Sequence, residues 1–124
     1  MHNYWVVGAS WGGVKHQDQR FVENNIWLLG YSKDEDRSQY EKAKEIKKGD
    51  RIAIKRMMGQ GAKTIKIKHI GIVTGIIPDV DYKVVCSVNW LASDLDRIVE
   101  ARGCFKSVHK FSKQDSWIRE VFCL

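Results

Sequence analysis

An unbroken apolar stretch lies near the start of the chain, where YWVVGA at residues 4–9 is apolar on both faces. A strand buried on both sides reads this way, so the segment is predicted to sit centrally in a sheet. Ser10, Trp11, Gly12 and Gly13 then interrupt it, and the paired glycines predict a tight loop. Residues 17–24 fit a short helix that turns Phe21 inward, and residues 25–31 (NIWLLGY) fit a strand or extended turn. The polar stretch 33–37 predicts a solvated loop. A helix should follow at about 38–46, where Tyr40, Ala43 and Ile46 recur at helical spacing.

Lys48-Gly49-Asp50 is a turn feeding a strand at 51–56, in which Ile52 and Ile54 alternate with Ala53 and Lys55. Residues 57–62, with Gly59 and Gly61, form a flexible connection to a long strand at 64–77. Gly71 and Gly75 within that strand predict a bend or bulge. Pro78-Asp79 turns the chain into a strand at 82–90, and 91–103 reads as loop plus a short strand. Residues 105–111 (FKSVHKF) fit a last strand. Ser112 offers an N-cap, with Asp115 three positions on, for a helix at 113–122 burying Trp117, Val121 and Phe122. Five to six strands with about three short helices predict one α+β domain over 1–124, a mixed, partly closed β-barrel.

Composition narrows the setting. A chain of 124 residues with 44% hydrophobic positions and one proline suits a single compact core. No apolar run is long enough to span a bilayer, and MHNYWVV lacks a secretory n-region, so a soluble, cytoplasmic protein is expected. Cys86, Cys104 and Cys123 are odd in number and widely spaced, which fits reduced thiols. Among the histidines only His109 lies near a cysteine, and strand geometry would point it away from Cys104, so neither metal nor cofactor is expected. The net charge of +6 is uneven: residues 42–68 hold ten Lys/Arg against Glu45 and Asp50, leaving the rest at −2. Such a field attracts phosphate backbones, although a lysine-rich solvated face explains it equally well.

Catalytic patterns are scarce. Gly8-Ala9-Ser10-Trp11-Gly12 has the letters of a nucleophile elbow but not the large parallel sheet that motif needs, so a structural turn or binding loop is the better reading. The 59–63 segment (GQGAK) lacks the spacing of a phosphate-binding loop. Five tryptophans, by contrast, are many for this length. Trp5 and Trp117 fall at packing positions. Trp11, Trp27 and Trp90 lie where elements end, and aromatic faces there can stack on a base rotated out of a duplex. Trp27 is read as a pocket wall, Trp11 as pocket or barrel plug alike, and Trp90 first as packing.

Taken in order, YWVVGASWGG, DQRFVENNIWLLGY, KKGDRIAIK and KIKHIGIVTGI resemble the EVE branch of the PUA-like superfamily. The order is similar to that of YTH domains too, and is nearest to the N-terminal modules of McrB-type, modification-dependent restriction proteins. The resemblance covers roughly the first ninety residues. It implies a β-barrel flanked by helices that holds a flipped, modified base in an aromatic cage. In the YTH pattern one wall is a tryptophan after Asn-hydrophobic, matching Trp27 after Asn25-Ile26, and a serine-bearing loop after the first strand matches Ser10. The loop that carries the second wall in that pattern has no tryptophan here, so Trp11, Tyr31 or Tyr82 would substitute.

On this reading Ser10, Asn25 or Asp18 would read the base edge, with Trp90 a further candidate for the pocket. Arg51, Lys55, Arg56, Lys63, Lys66 and Lys68 would grip phosphates. The leading expectation is therefore a reader of modified DNA without catalysis. A fused or neighbouring nuclease or motor ATPase is the partner that the resemblance suggests. Alternatives are an RNA reader of the YTH or PUA kind, a small nucleotide- or RNA-acting enzyme using Asp18 or Lys15, and a module that contacts a protein through its basic face.

Overall fold

A computed structural model describes residues 2–11, 15–59, 61–80 and 83–123. Tyr82, a candidate cage wall, lies outside the described residues, as do Gly12 and Gly13 of the expected tight loop. Among the described residues the architecture is α+β, with three helices against a mixed sheet of seven strands.

The first strand is the hub. β1 (Tyr4–Gly8) runs parallel to β5 (Arg51–Met57), pairing Trp5 with Ile52 and Val7 with Ile54, and antiparallel to β9 (Val108–Phe111) on its other side. Its apolar residues face two cores. Trp5 and Val7 join one cluster with Ile52, Ile54, Trp27 and Val88, while Val6 joins another with Ala53, Ile65, Ile67 and Trp117. Burial on both faces is what the unbroken apolar run implied.

β6 (Thr64–Val80) is long enough to serve several neighbours. It pairs with β5 through its first half, with β7 (Lys83–Ala92) through its second, and with β8 (Arg97–Glu100) at its start. Register shifts fall at Ile70/Gly71 and Val73/Gly75, where the glycines predicted a bulge. Gly71 is sterically required, because a Cβ there would lie 2.6 Å from Val88 Cγ1 and 2.8 Å from the Asn89 carbonyl. β4 (Ile26–Leu28) completes the sheet along β7, giving the order β4-β7-β6-β5-β1-β9 with β8 beside β6. Among the described residues no ladder joins β4 to β9, so the path of hydrogen bonds is open.

The turn that launches β5 is built on a buried carboxylate. Asp50 is 2% exposed and accepts the Trp5 indole N–H at 2.9 Å, the Lys47 N–H at 3.0 Å and the Asn3 N–H at 3.1 Å. These bonds tie the Lys-Lys-Gly-Asp turn to the start of β1. α1 (Asp18–Glu23) and α2 (Arg37–Ala43) cover the first core, and Asp36 caps α2 through the Gln39 N–H. α3 (Trp117–Phe122) is shorter than the helix predicted at 113–122. Residues 112–116 form turns instead, and Asp115 rather than Ser112 accepts the Trp117 N–H. The strand predicted at 105–111 begins only at Val108, which leaves Phe105–Ser107 as an exposed approach to it. No described helix is long and apolar enough to cross a membrane.

Candidate functional site

A recess opens where β1 ends. Gly8 is its floor, and Ser10, Trp11, Gly30, Tyr31 and Ser107 line a cavity of about 180 Å³. A second compartment of about 200 Å³ shares Gly8, Ser10, Tyr31 and Ser107 and continues to His16, Lys55, Met57, Phe105 and Lys106. The two form one contiguous depression with aromatic faces and a polar end.

Local structure positions each wall. Ser10 and Trp11 form β2, which pairs with β3 (Lys15–His16), and Ser10 Oγ lies 2.6 Å from His16 Nδ1. Trp11 presses against Gly30 so closely that a Cβ there would come within 2.8 Å of the indole nitrogen. Lys83 Nζ sits 5.8 Å from the centre of the Trp11 ring, within cation–π reach. Tyr31, 40% exposed, supplies a second aromatic side chain to the lining.

Lys55 is the unusual member. It is only 5% exposed, and its ammonium contacts Met57 Sδ at 3.4 Å. Among the described residues no carboxylate pairs with it. Burial holds its pKa below the ordinary lysine value, and the neighbouring Cys104 opposes this only in part. Burial likewise pushes the Cys104 thiol up to about 11, against the charges of Lys55 and Arg102. Burial, with the Lys55 charge, holds the His109 pKa below the ordinary histidine value.

The predicted pocket residues divide sharply. Ser10, Trp11 and Tyr31 meet in the recess. Trp27 does not: its side chain is 0% exposed, packed in the core, and its indole N–H donates to the Gly8 carbonyl at 2.9 Å from behind the floor. The expected cage wall is thus a support beneath the recess. Asp18 is also absent from it, being 3% exposed and bound to Arg56 at 2.9 Å and to His69 Nε2 at 2.7 Å. Because His69 Nδ1 accepts the Asp94 N–H at 3.2 Å, Nε2 is the nitrogen that donates to Asp18. Burial raises the Asp18 carboxyl, but the His69 bond and the Arg56 charge outweigh it, leaving it below the usual carboxylate value. Asn25 lies in an exposed turn at φ 54°, its carbonyl accepting the Val88 N–H. Trp90 packs on the core and donates its indole N–H to the Phe21 carbonyl at 3.2 Å, as the packing reading had it.

The basic segment is less uniform than its composition. Arg56 is tied to Asp18, and Lys66 and Lys68 both face Asp96, at 3.8 and 2.8 Å. Arg51 donates to the Gly49 carbonyl, and Lys63 lies on an open surface beside Arg102 and Gly103. Of the six predicted phosphate contacts, Lys55 is the one that lines the recess. His16, Gly30, Lys83, Phe105, Lys106 and Ser107 are members that the sequence reading did not select. Lys15, the other residue of the enzyme alternative, is exposed on β3. Among the described residues no group of three or more His, Cys, Asp or Glu is placed to hold a metal, and Cys86 and Cys104 are buried free thiols.

A scan against models of protein families finds no match, and a search of curated proteins finds no significant match.

Proposed function

We propose that this chain is a nucleic-acid-binding module that holds one extruded, modified base in the recess between Trp11 and Tyr31, without catalysing a reaction. What carries the reading is that recess: two aromatic side chains flank a polar floor at the end of the central strand. Every nucleobase has a π-face, so such walls reward an unstacked ring by about 1–3 kcal/mol per contact. The Ser10 hydroxyl, which lines the recess, is available to read its edge. Trp11, with Lys83 beside it, takes the wall role expected of Trp27.

The resemblance to the EVE and YTH branches of the PUA-like superfamily belongs to this proposal, as does a sheet curling toward a partly closed barrel. So do DNA as the preferred nucleic acid, a fused or associated nuclease or motor ATPase, and a cytoplasmic setting. The test is a titration of methylated, hydroxymethylated and unmodified DNA and RNA oligonucleotides at fixed salt. A modification preference that Trp11→Ala removes supports the reading. Equal, weak, salt-sensitive binding to every oligonucleotide overturns it, since only a diffuse positive field would then be at work.

One contact favours a second reading, a small hydrolase. Ser10 Oγ within 2.6 Å of His16 Nδ1 is the spacing of a nucleophile and its base. Against it, among the described residues no carboxylate orients His16, and Asp18 is committed to Arg56 and His69. Nucleotide or ester turnover abolished by Ser10→Ala would promote this reading over the first.

A further inference from the structure

Lys55 lies at the end of the β1–β5 ladder, opposite Gly8, where a register shift between Ile54 and Lys55 on the β6 side breaks the regular alternation of β5. Bulges of this kind re-aim a side chain. The result is a lysine 5% exposed that lines a compartment of about 200 Å³. Among the described residues no carboxylate compensates its positive charge. The nearest polar partner is the thioether of Met57 at 3.4 Å, and Cys104 and His109 are the titratable groups around it. Lys106 lines the same compartment and adds a second cation rather than a counter-charge. Lysine is almost never buried unless paired, because an isolated ammonium loses its hydration on burial. Other part-buried cations have oxygen partners: Arg56 has Asp18, Lys68 has Asp96, and Arg97 has the Val121 carbonyl.

We infer that the Lys55 compartment is a subsite for a compact anionic group carried by the ligand, adjacent to the ring held between Trp11 and Tyr31. The inference rests on the reading of the recess as a base pocket, and it adds what that ligand must carry. Lys55 supplies the charge, with Lys106 and the His16 side of the compartment completing its polar rim. Two sources provide the chemistry: a phosphate of the extruded nucleotide, or an acid substituent on the base itself, such as a carboxylate on an oxidised pyrimidine. A neutral methyl group gains nothing from a desolvated ammonium, whereas a charged oxygen gains a charge-assisted hydrogen bond.

The experiment compares wild type with Lys55→Met and Lys55→Gln, both checked for an intact thermal unfolding transition. The probes are a nucleoside, its monophosphate, and duplex oligonucleotides bearing methylcytosine or carboxylcytosine. Wild type should favour the anionic member of at least one pair, and both variants should lose about ten- to a hundredfold of affinity for it. Binding of the free nucleoside should change by less than about threefold, and that of the methylcytosine duplex should stay within that range only where the anion is base-borne, since this duplex still carries the nucleotide's phosphate. Preference for the monophosphate identifies the phosphate source, and preference for carboxylcytosine the base-borne one. Unchanged affinity for every anionic probe in both variants overturns the inference. Should Trp11→Ala still abolish binding in that case, the base pocket stands and only the anion subsite falls. Conversely, with inorganic phosphate titrated as a further probe, its Lys55-dependent binding without binding of any nucleoside or oligonucleotide would retain the subsite and remove the base pocket.

Discussion

Replacing Trp27 with phenylalanine separates two roles that a tryptophan at this position can play. The indole is fully buried, and its N–H is given to the Gly8 carbonyl at 2.9 Å. Phenylalanine keeps a ring in the core but removes the donor, leaving a buried carbonyl short of a partner at about 1–3 kcal/mol. The lost ring atoms leave a gap that adds about 1–2 kcal/mol. The variant should therefore be less stable by about 2–5 kcal/mol in urea unfolding followed by far-ultraviolet circular dichroism. Under folding conditions its affinity for a preferred oligonucleotide should stay within about threefold of wild type, because the removed atoms face away from the recess. Trp11→Ala should show the reverse: a stability change of about 1 kcal/mol or less and an affinity loss of about 1–3 kcal/mol from the missing stack. A Trp27→Phe protein that keeps its stability but no longer binds would refute this reasoning and return Trp27 to the wall of the site.

Three further outcomes follow from named contacts. Asp18→Asn should destabilise by about 2–3 kcal/mol, below the range for a fully buried pair because the Arg56 side chain is 32% exposed. Since the folded Asp18 value lies below its unfolded one near about 4, its contribution is full above that pH and lost as pH falls through the folded value. Unfolding measured from neutral pH downward should thus show the gap between wild type and Asp18→Asn closing in acid, and a constant gap would contradict the assignment. Gly30→Ala should displace the Trp11 ring, which a Cβ would approach to 2.8 Å, weakening oligonucleotide binding with little effect on the unfolding midpoint. Asp50→Ala should cost about 3 kcal/mol or more by urea unfolding, because three N–H donors, one of them the Trp5 indole, lose their acceptor.

Much of the sheet was legible because period and glycine placement are local signals. The unbroken YWVVGA run, the Ile52–Ile54 alternation and the bulges at Gly71 and Gly75 all appear where the pattern put them. The site was legible only in part, since Ser10, Trp11 and Tyr31 flank a strand end and a glycine and were visible as such. Trp27 was misread for a physical reason. An apolar triplet, Ile26–Leu28, carries no polar face to say which way the indole turns, and pairing with β7 turns it inward. Asp18 stood as a candidate for the base edge because its partners, Arg56 and His69, lie 38 and 51 positions away. Lys55 was one lysine among many until the bulge in its ladder and the late start of β9 enclosed it. Long-range pairing decides such cases, and no window of local sequence contains it.

The most direct measurement follows the indole N–H signals of isotope-labelled protein by nuclear magnetic resonance while a duplex with one modified cytosine is added. The Trp11 signal should shift strongly and saturate with the binding curve, while those of Trp27 and Trp117, buried in separate cores, move little. Saturable binding that leaves Trp11 unmoved, with shifts confined to the open surface around Lys63 and Arg102, would contradict the account.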